Sequence, residues 1–129
     1  MTDYKGEHIW IIGASSGIGR ALAIELAGRG ATLALSARSL DKIGDLVLHL
    51  GQSHTFHALD VTNVTTIEKT ITSLPRIPDR VIYMAGHYEP MNLAHVNLDQ
   101  AHKIIETNLT GAVNVISLIL PHLLNRKSG

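Results

Sequence analysis

Cysteine is absent from the 129 residues, which excludes a disulfide framework, a thiol nucleophile and a thiolate metal site. Charge of one sign is not in excess either. Eleven Lys plus Arg stand against eleven Asp plus Glu, so the formal net charge is zero with His neutral. That balance lacks the electrostatic footprint of a nucleic-acid binder or a membrane-surface protein, and neither partner is expected. Long apolar runs are also missing. The most apolar stretch, Ala112 to Leu120, is interrupted by Asn114 and Ser117 and is expected to be too short to span a bilayer. The first ten residues, MTDYKGEHIW, hold two acids and no apolar block, so they do not read as a secretory signal, and the expected location is cytoplasmic.

No repeat, low-complexity tract or Pro/Gly-rich linker divides the sequence, and residues 1–129 read as one domain. Hydrophobic residues at 45% against charged residues at 17% suit a folded chain with a real core. Short β-branched runs alternate with longer amphipathic ones. Strands are expected at His8–Ile12, Thr32–Ala37, Thr55–Leu59 and Val81–Met84. Helices are expected at Gly17–Arg29, Leu40–Leu50, Asn63–Ser73 and from Leu98 to about Leu124, the last with Asn97 as N-cap. His8–Ile12 is almost wholly apolar, as a strand covered on both faces should be. Strands alternating with helices imply parallel pairing and right-handed crossovers, hence an α/β fold.

The sharpest local signal is Gly13-Ala14-Ser15-Ser16-Gly17-Ile18-Gly19, placed where the first strand turns into the first helix. Gly13 permits a tight exit, Gly17 lets a ligand approach backbone, and Gly19 allows close packing of helix on strand. The helix N-terminus then presents unpaired N–H groups and a positive dipole end to a pyrophosphate; Ser15, Ser16 and Ile18 complete this turn. No Lys-Ser or Lys-Thr follows the glycines, so it is not a P-loop. The second strand ends Leu35-Ser36-Ala37-Arg38-Ser39, with no acid before Asp41. An acid there would hold the ribose hydroxyl of NAD. Arg38 instead offers a fork of donors to the 2′-phosphate of NADP, with Ser36 or Ser39 adding a hydroxyl. NADP is therefore the expected cofactor, NAD the lesser one. Eight histidines are many for this length, yet His54 and His57 would point to opposite faces of a strand and no cluster forms, so no metal site is expected.

Taken in order along the chain, these residues resemble the short-chain dehydrogenase/reductase family. The glycine motif at 13–19 and Arg38 fit it. So do Asp60-Val61 after the third strand, where the family contacts adenine, and Ala85-Gly86 after the fourth strand. Asn108 with Gly111 is similar to the Asn-x-x-Gly of the family's fourth helix, whose Asn belongs to a catalytic tetrad. The resemblance implies a Rossmann-type doubly wound parallel sheet of order 3-2-1-4, broken off before a fifth strand. It also implies hydride transfer between a nicotinamide and a small-molecule carbonyl or alcohol. Two departures are local: Ile12 stands where the family has Thr, and Met84 where it has Asn. A third concerns chemistry. The family's Ser and Tyr-x-x-x-Lys are absent, since Tyr4, Tyr83 and Tyr88 are followed four residues later by His8, His87 and Asn92. The chain thus reads as an incomplete, cofactor-binding half. A nucleotide-binding or regulatory module without turnover, and an inactive truncated product, stay open beside it. The fourth strand, mostly apolar, would be an uncovered edge, to be covered by another copy or a missing segment. Ile104, Ile105, Leu109, Val113, Ile116, Leu120 and Leu124 form a broad apolar face. Its counterpart in the family lies at a dimer interface, so a homo-oligomer is expected.

Overall fold

In the computed structural model, which describes residues 2–129, the apolar run His8–Ile12 forms β1 and every residue of it is buried. The chain continues through α1 (Gly17–Gly28), β2 (Thr32–Ala37), α2 (Leu40–Leu50), β3 (Thr55–Ala58), α3 (Val64–Ser73) and β4 (Arg80–Tyr83). It ends in α4 (Leu98–Ile105), a π-helical turn over Glu106–Thr110, and α5 (Gly111–Arg126). The four strands form one parallel sheet in the order β3-β2-β1-β4. This is the α/β architecture and strand order expected from the sequence.

The period-2 geometry of β1 divides the core into two layers. Ile9 and Ile11 face one side with Leu33 and Leu35 of β2, where α1 brings Ala23 and Leu26 and α2 brings Ile43 and Leu46. Trp10 and Ile12 face the other side, against Ala34, Ile67 and Ile71 of α3, and Val115 and Ile119 of α5. Small Ala34 beside large Trp10 keeps that layer filled. The residues Ile12 and Met84, apolar where the resembling family is polar, do not part the strands, because the Met84 N–H donates to the Ile12 carbonyl at 2.7 Å.

Element bounds differ from expectation by a residue or two at several ends: α1 stops at Gly28, β3 at Ala58, and α3 starts at Val64. β4 runs one residue earlier, with Arg80 paired to Ile9 and its guanidinium on the Glu7 carboxylate. The last helix reaches Arg126, whose Nη1 and Nη2 donate to the Ile77 and Pro78 carbonyls at 2.7 and 2.8 Å and so dock the helix end below β4. A π turn over Glu106–Thr110 interrupts the α-helix expected to be continuous. Against the expectation that the apolar stretch is too short to span a bilayer, the continuous helical stretch Leu98–Arg126 is 29 residues and is long and apolar enough to cross one by length and composition. Asn114, polar within the run, points at protein: its Nδ2 donates to the Val61 carbonyl at 3.1 Å. Val115 and Ile119 on this helix are buried against the sheet, while Val113, Ile116, Leu120 and Leu124 are exposed.

β4 is an edge of the sheet, as expected, and its Val81, Ile82 and Tyr83 are only half-buried. An apolar groove of about 660 Å³ runs along it, walled by Leu22 and Leu26 of α1 and by Ile116, Leu120 and Leu123 of α5.

Candidate functional site

A cleft of about 510 Å³ opens at the carboxyl ends of the strands, over the gap between β1 and β4. From β1 the chain goes on to β2 on one side, and β4 lies on the other; at such a reversal the connections leave on opposite faces and a crevice forms.

The glycine turn makes the floor. Gly13 has φ +93, and a Cβ there would stand 2.5 Å from the Ala85 nitrogen, so glycine is required for β1 and the segment after β4 to meet. A Cβ on Gly19 would run into the Gly13 carbonyl, so the helix can seat on its own entry turn only without one. Gly17, at φ +55, has nothing within 4 Å of its Cβ position and leaves that wall bare. Ser16 is the N-cap of α1, with extended backbone; its side chain makes no capping bond and no acid stands in the first turn. Among the described residues no anion or side-chain oxygen meets the opening N–H groups of α1, so the dipole end is left for a ligand. Ser15, Ser16 and Ile18 line the same opening, and Ile18 is 73% exposed.

Arg38 is exposed at the cleft beside Ala37. Ser36 is not at the cleft, which corrects the expectation of a ligand-binding hydroxyl. It is fully buried, its Oγ accepts from Trp10 Nε1 at 2.9 Å, and its carbonyl accepts from the Gly13 and Ala14 N–H groups. Ser39 likewise does not line the cleft; it is the half-buried N-cap of α2. Asp60 and Val61 do line it. Thr62 donates both its N–H (3.0 Å) and its hydroxyl (2.7 Å) to Asp60 Oδ1, fixing that carboxylate, and among the described residues Oδ2 takes no hydrogen bond.

Met84, Ala85 and Gly86 form the wall after β4. Asn108 is not on the lining. Its Oδ1 accepts from the His87 N–H at 2.7 Å and its Nδ2 donates to the His87 carbonyl at 3.0 Å, so the amide clips the end of that wall. His87 Nε2 lies 2.9 Å from Glu89 Oε1 but without good hydrogen-bond geometry. Lys103 and Thr107, one helical turn apart, close the cleft from the α4 side. These two, with Thr62, were not singled out in the sequence; the i, i+4 spacing was there, but no apolar pattern marked that face. Tyr83 Oη donates to the Thr107 carbonyl at 2.6 Å, and burial pushes its phenol pKa up.

Chemically the cleft offers a free helix N-terminus, two cations at Arg38 and Lys103, and a Cβ-free floor, which suits a long anion. It brings together no tyrosine–lysine pair. Among the described residues no group of three or more His, Asp or Glu side chains could hold a metal ion.

A family profile described as short chain dehydrogenase matches residues 7–129. An NADPH-dependent pterin aldehyde reductase of Arabidopsis thaliana is 34% identical over 94% of this chain and 52% of its own length. Two structures of serine dehydrogenase, one from Escherichia coli and one a closed form complexed with NADP+, superpose at TM-score 0.90 and 26% identity, each covering 95% of this chain and 58% and 51% of theirs. A 3-oxoacyl-[acyl-carrier protein] reductase from Brucella melitensis with bound NAD superposes at TM-score 0.89 and 25% identity, covering 98% of this chain and 52% of its own. The chain spans about half the length of the curated relatives it matches. With the sheet order, the glycine turn and the helix-borne asparagine in place along the matched residues, the chain belongs to the short chain dehydrogenase family of oxidoreductases.

Proposed function

We propose that the cleft binds NADP(H), and that these residues form the coenzyme-binding half of an oxidoreductase acting on a small carbonyl or alcohol. The observation that carries it is the uncapped start of α1 beneath the bare Gly17 wall. Backbone N–H groups at Gly17, Ile18 and Gly19 would hold the pyrophosphate, with Ser15 and Ser16 flanking it. Arg38 would take the 2′-phosphate, and no acid competes with it before Asp41. Asp60 and Val61 would receive the adenine, and Ala85 and Gly86 the nicotinamide side. The NADP+ complex of serine dehydrogenase and the NADPH-dependent reductase support this choice, while the relative with bound NAD keeps NAD as the competitor to test.

When bound, the nicotinamide supplies or accepts a hydride. What the residues of this chain do is bind, orient and wall off. Asn108 is a positioning residue here, because its amide is spent on the His87 backbone. Proton transfer is not theirs: the 129 residues hold no Tyr-x-x-x-Lys, and the Tyr83 hydroxyl is bound to a carbonyl. That observation favours a second reading, coenzyme binding without turnover by these residues. Titration calorimetry with NADPH and NADH, alongside a carbonyl-reduction assay, separates the two. Binding of neither coenzyme removes both. The exposed apolar face of Val113, Ile116, Leu120 and Leu124 supports self-association, tested by sedimentation; a monomer at all concentrations overturns it.

A further inference from the structure

The π turn over Glu106–Thr110 has a specific consequence for one carbonyl. The Gly111 N–H reaches back five residues to the Glu106 carbonyl. In an uninterrupted α-helix it would have served Thr107. The Thr107 carbonyl thus loses its ordinary helical donor at a place facing the protein, where an unpaired carbonyl is costly. The Tyr83 hydroxyl, coming from the end of β4, supplies the replacement at 2.6 Å.

The approach is made possible by Gly111. A Cβ at that position would lie 2.5 Å from Tyr83 Oη and 2.6 Å from Val61 Cγ2. Asn108, the next residue after Thr107, holds both backbone groups of His87. Two clips therefore join the same helical turn to the same stretch of chain, one at Tyr83 and one at His87. Between them lie Met84, Ala85 and Gly86, the residues whose backbone walls the cleft.

We infer that Tyr83 is a positioning residue: its hydroxyl holds the π turn in register so that Asn108 can fix His87, and the Met84–Gly86 wall is thereby set for the nicotinamide half of the coenzyme. The affinity part of this rests on the coenzyme reading above; the clip itself does not.

The test is Tyr83→Phe, which removes the donor and keeps the ring. The His87 amide is expected to exchange with deuterium about tenfold faster, since one hydrogen bond of the pair of clips is gone. The dissociation constant for NADPH is expected to rise about three- to tenfold, while that for adenosine 2′,5′-bisphosphate, which reaches only the Arg38 end, stays within about twofold. Unchanged His87 exchange, or equal weakening of both ligands as a general loss of structure would produce, overturns the inference. If the unsubstituted protein binds neither ligand, the coenzyme reading fails and His87 exchange alone decides. If Tyr83→Phe does not fold, the unsubstituted protein decides by NMR. A slowly exchanging Tyr83 hydroxyl proton with contacts to Thr107 supports the clip, and its absence overturns it.

Discussion

The indole nitrogen of Trp10 donates to the hydroxyl of Ser36 at 2.9 Å, and neither residue has any exposed surface. The bond crosses from β1 to β2 inside the layer covered by α3 and α5. Ser36→Ala would leave the indole N–H buried without a partner. It is expected to cost about 1–3 kcal/mol in urea denaturation. NADPH affinity is expected to stay within about twofold at temperatures where the protein is folded, because the hydroxyl is turned to Trp10 and does not line the cleft. A large loss of affinity without a loss of stability would contradict this placement.

Gly13 and Gly17 both have positive φ, yet their substitutions should fail differently. Gly13→Ala drives a methyl into the Ala85 backbone and should unfold the protein or lower its stability by well over about 1 kcal/mol. Gly17→Ala meets no atom within 4 Å and carries only left-handed strain of about 1–2 kcal/mol. Its main effect is expected on coenzyme, with NADPH affinity reduced about tenfold or more by the intruding methyl; a tenfold loss is about 1.4 kcal/mol. Thermal melts and calorimetry on the two variants check the contrast.

Arg38→Asp exchanges a donor fork for an acid at the end of β2. NADPH affinity is expected to fall about 10- to 100-fold while NADH affinity holds or improves, since a phosphate loses a charge-assisted pair and a ribose diol gains an acceptor. Equal losses for the two coenzymes would refute the role given to Arg38.

Stability should fall as the solution is acidified below about pH 6.5, the unperturbed histidine value. Burial holds the His8, His54 and His57 pKa values down. His54 Nδ1 also accepts the Leu33 N–H at 3.1 Å, which only the deprotonated nitrogen can do. A depressed folded pKa means that the unfolded chain binds more protons, so the stabilisation is whole above the unfolded pKa and is lost as pH drops through and beneath it. Glu7 and Asp79, whose carboxyl pKa values are held down by Arg80 and Arg76, extend the loss below about pH 4.5. Urea midpoints from pH 8 to pH 4 measure it, and a flat profile between pH 7 and pH 5 would contradict the histidine contribution.

Much of this fold is legible in the sequence. The bounds of β1, β2 and α2 follow from apolar runs ended by glycine or by the Arg38-Ser39 step, and Asn97 caps α4 as its side chain suggested. Ser36 lies near Arg38 in sequence, but strand alternation turns it away from the cleft: two residues on from Ala34, it shares a face with Trp10. A lone buried tryptophan needs an acceptor, and that was the usable signal. Apolar spacing does not mark the π turn: the reach of the Gly111 N–H to Glu106 goes with a hydroxyl from β4 on the Thr107 carbonyl, a tertiary contact that helical periodicity does not record. The bilayer-length stretch is masked in the sequence by Asn114, which is polar but engaged with the Val61 carbonyl.

The order of the strands also bears on how the molecule is made. β1 leaves the ribosome before the other three strands of this sheet, but it is completed on one flank by β2 and on the other by β4. Until Tyr83 has been added, Ile9 through Ile12 lack a neighbour on that second flank. A nascent chain stalled short of this point would present that flank of β1 to whatever chaperone is near, and Trp10 and Ile12 would stay uncovered on one face until Val115 and Ile119 of α5 had followed.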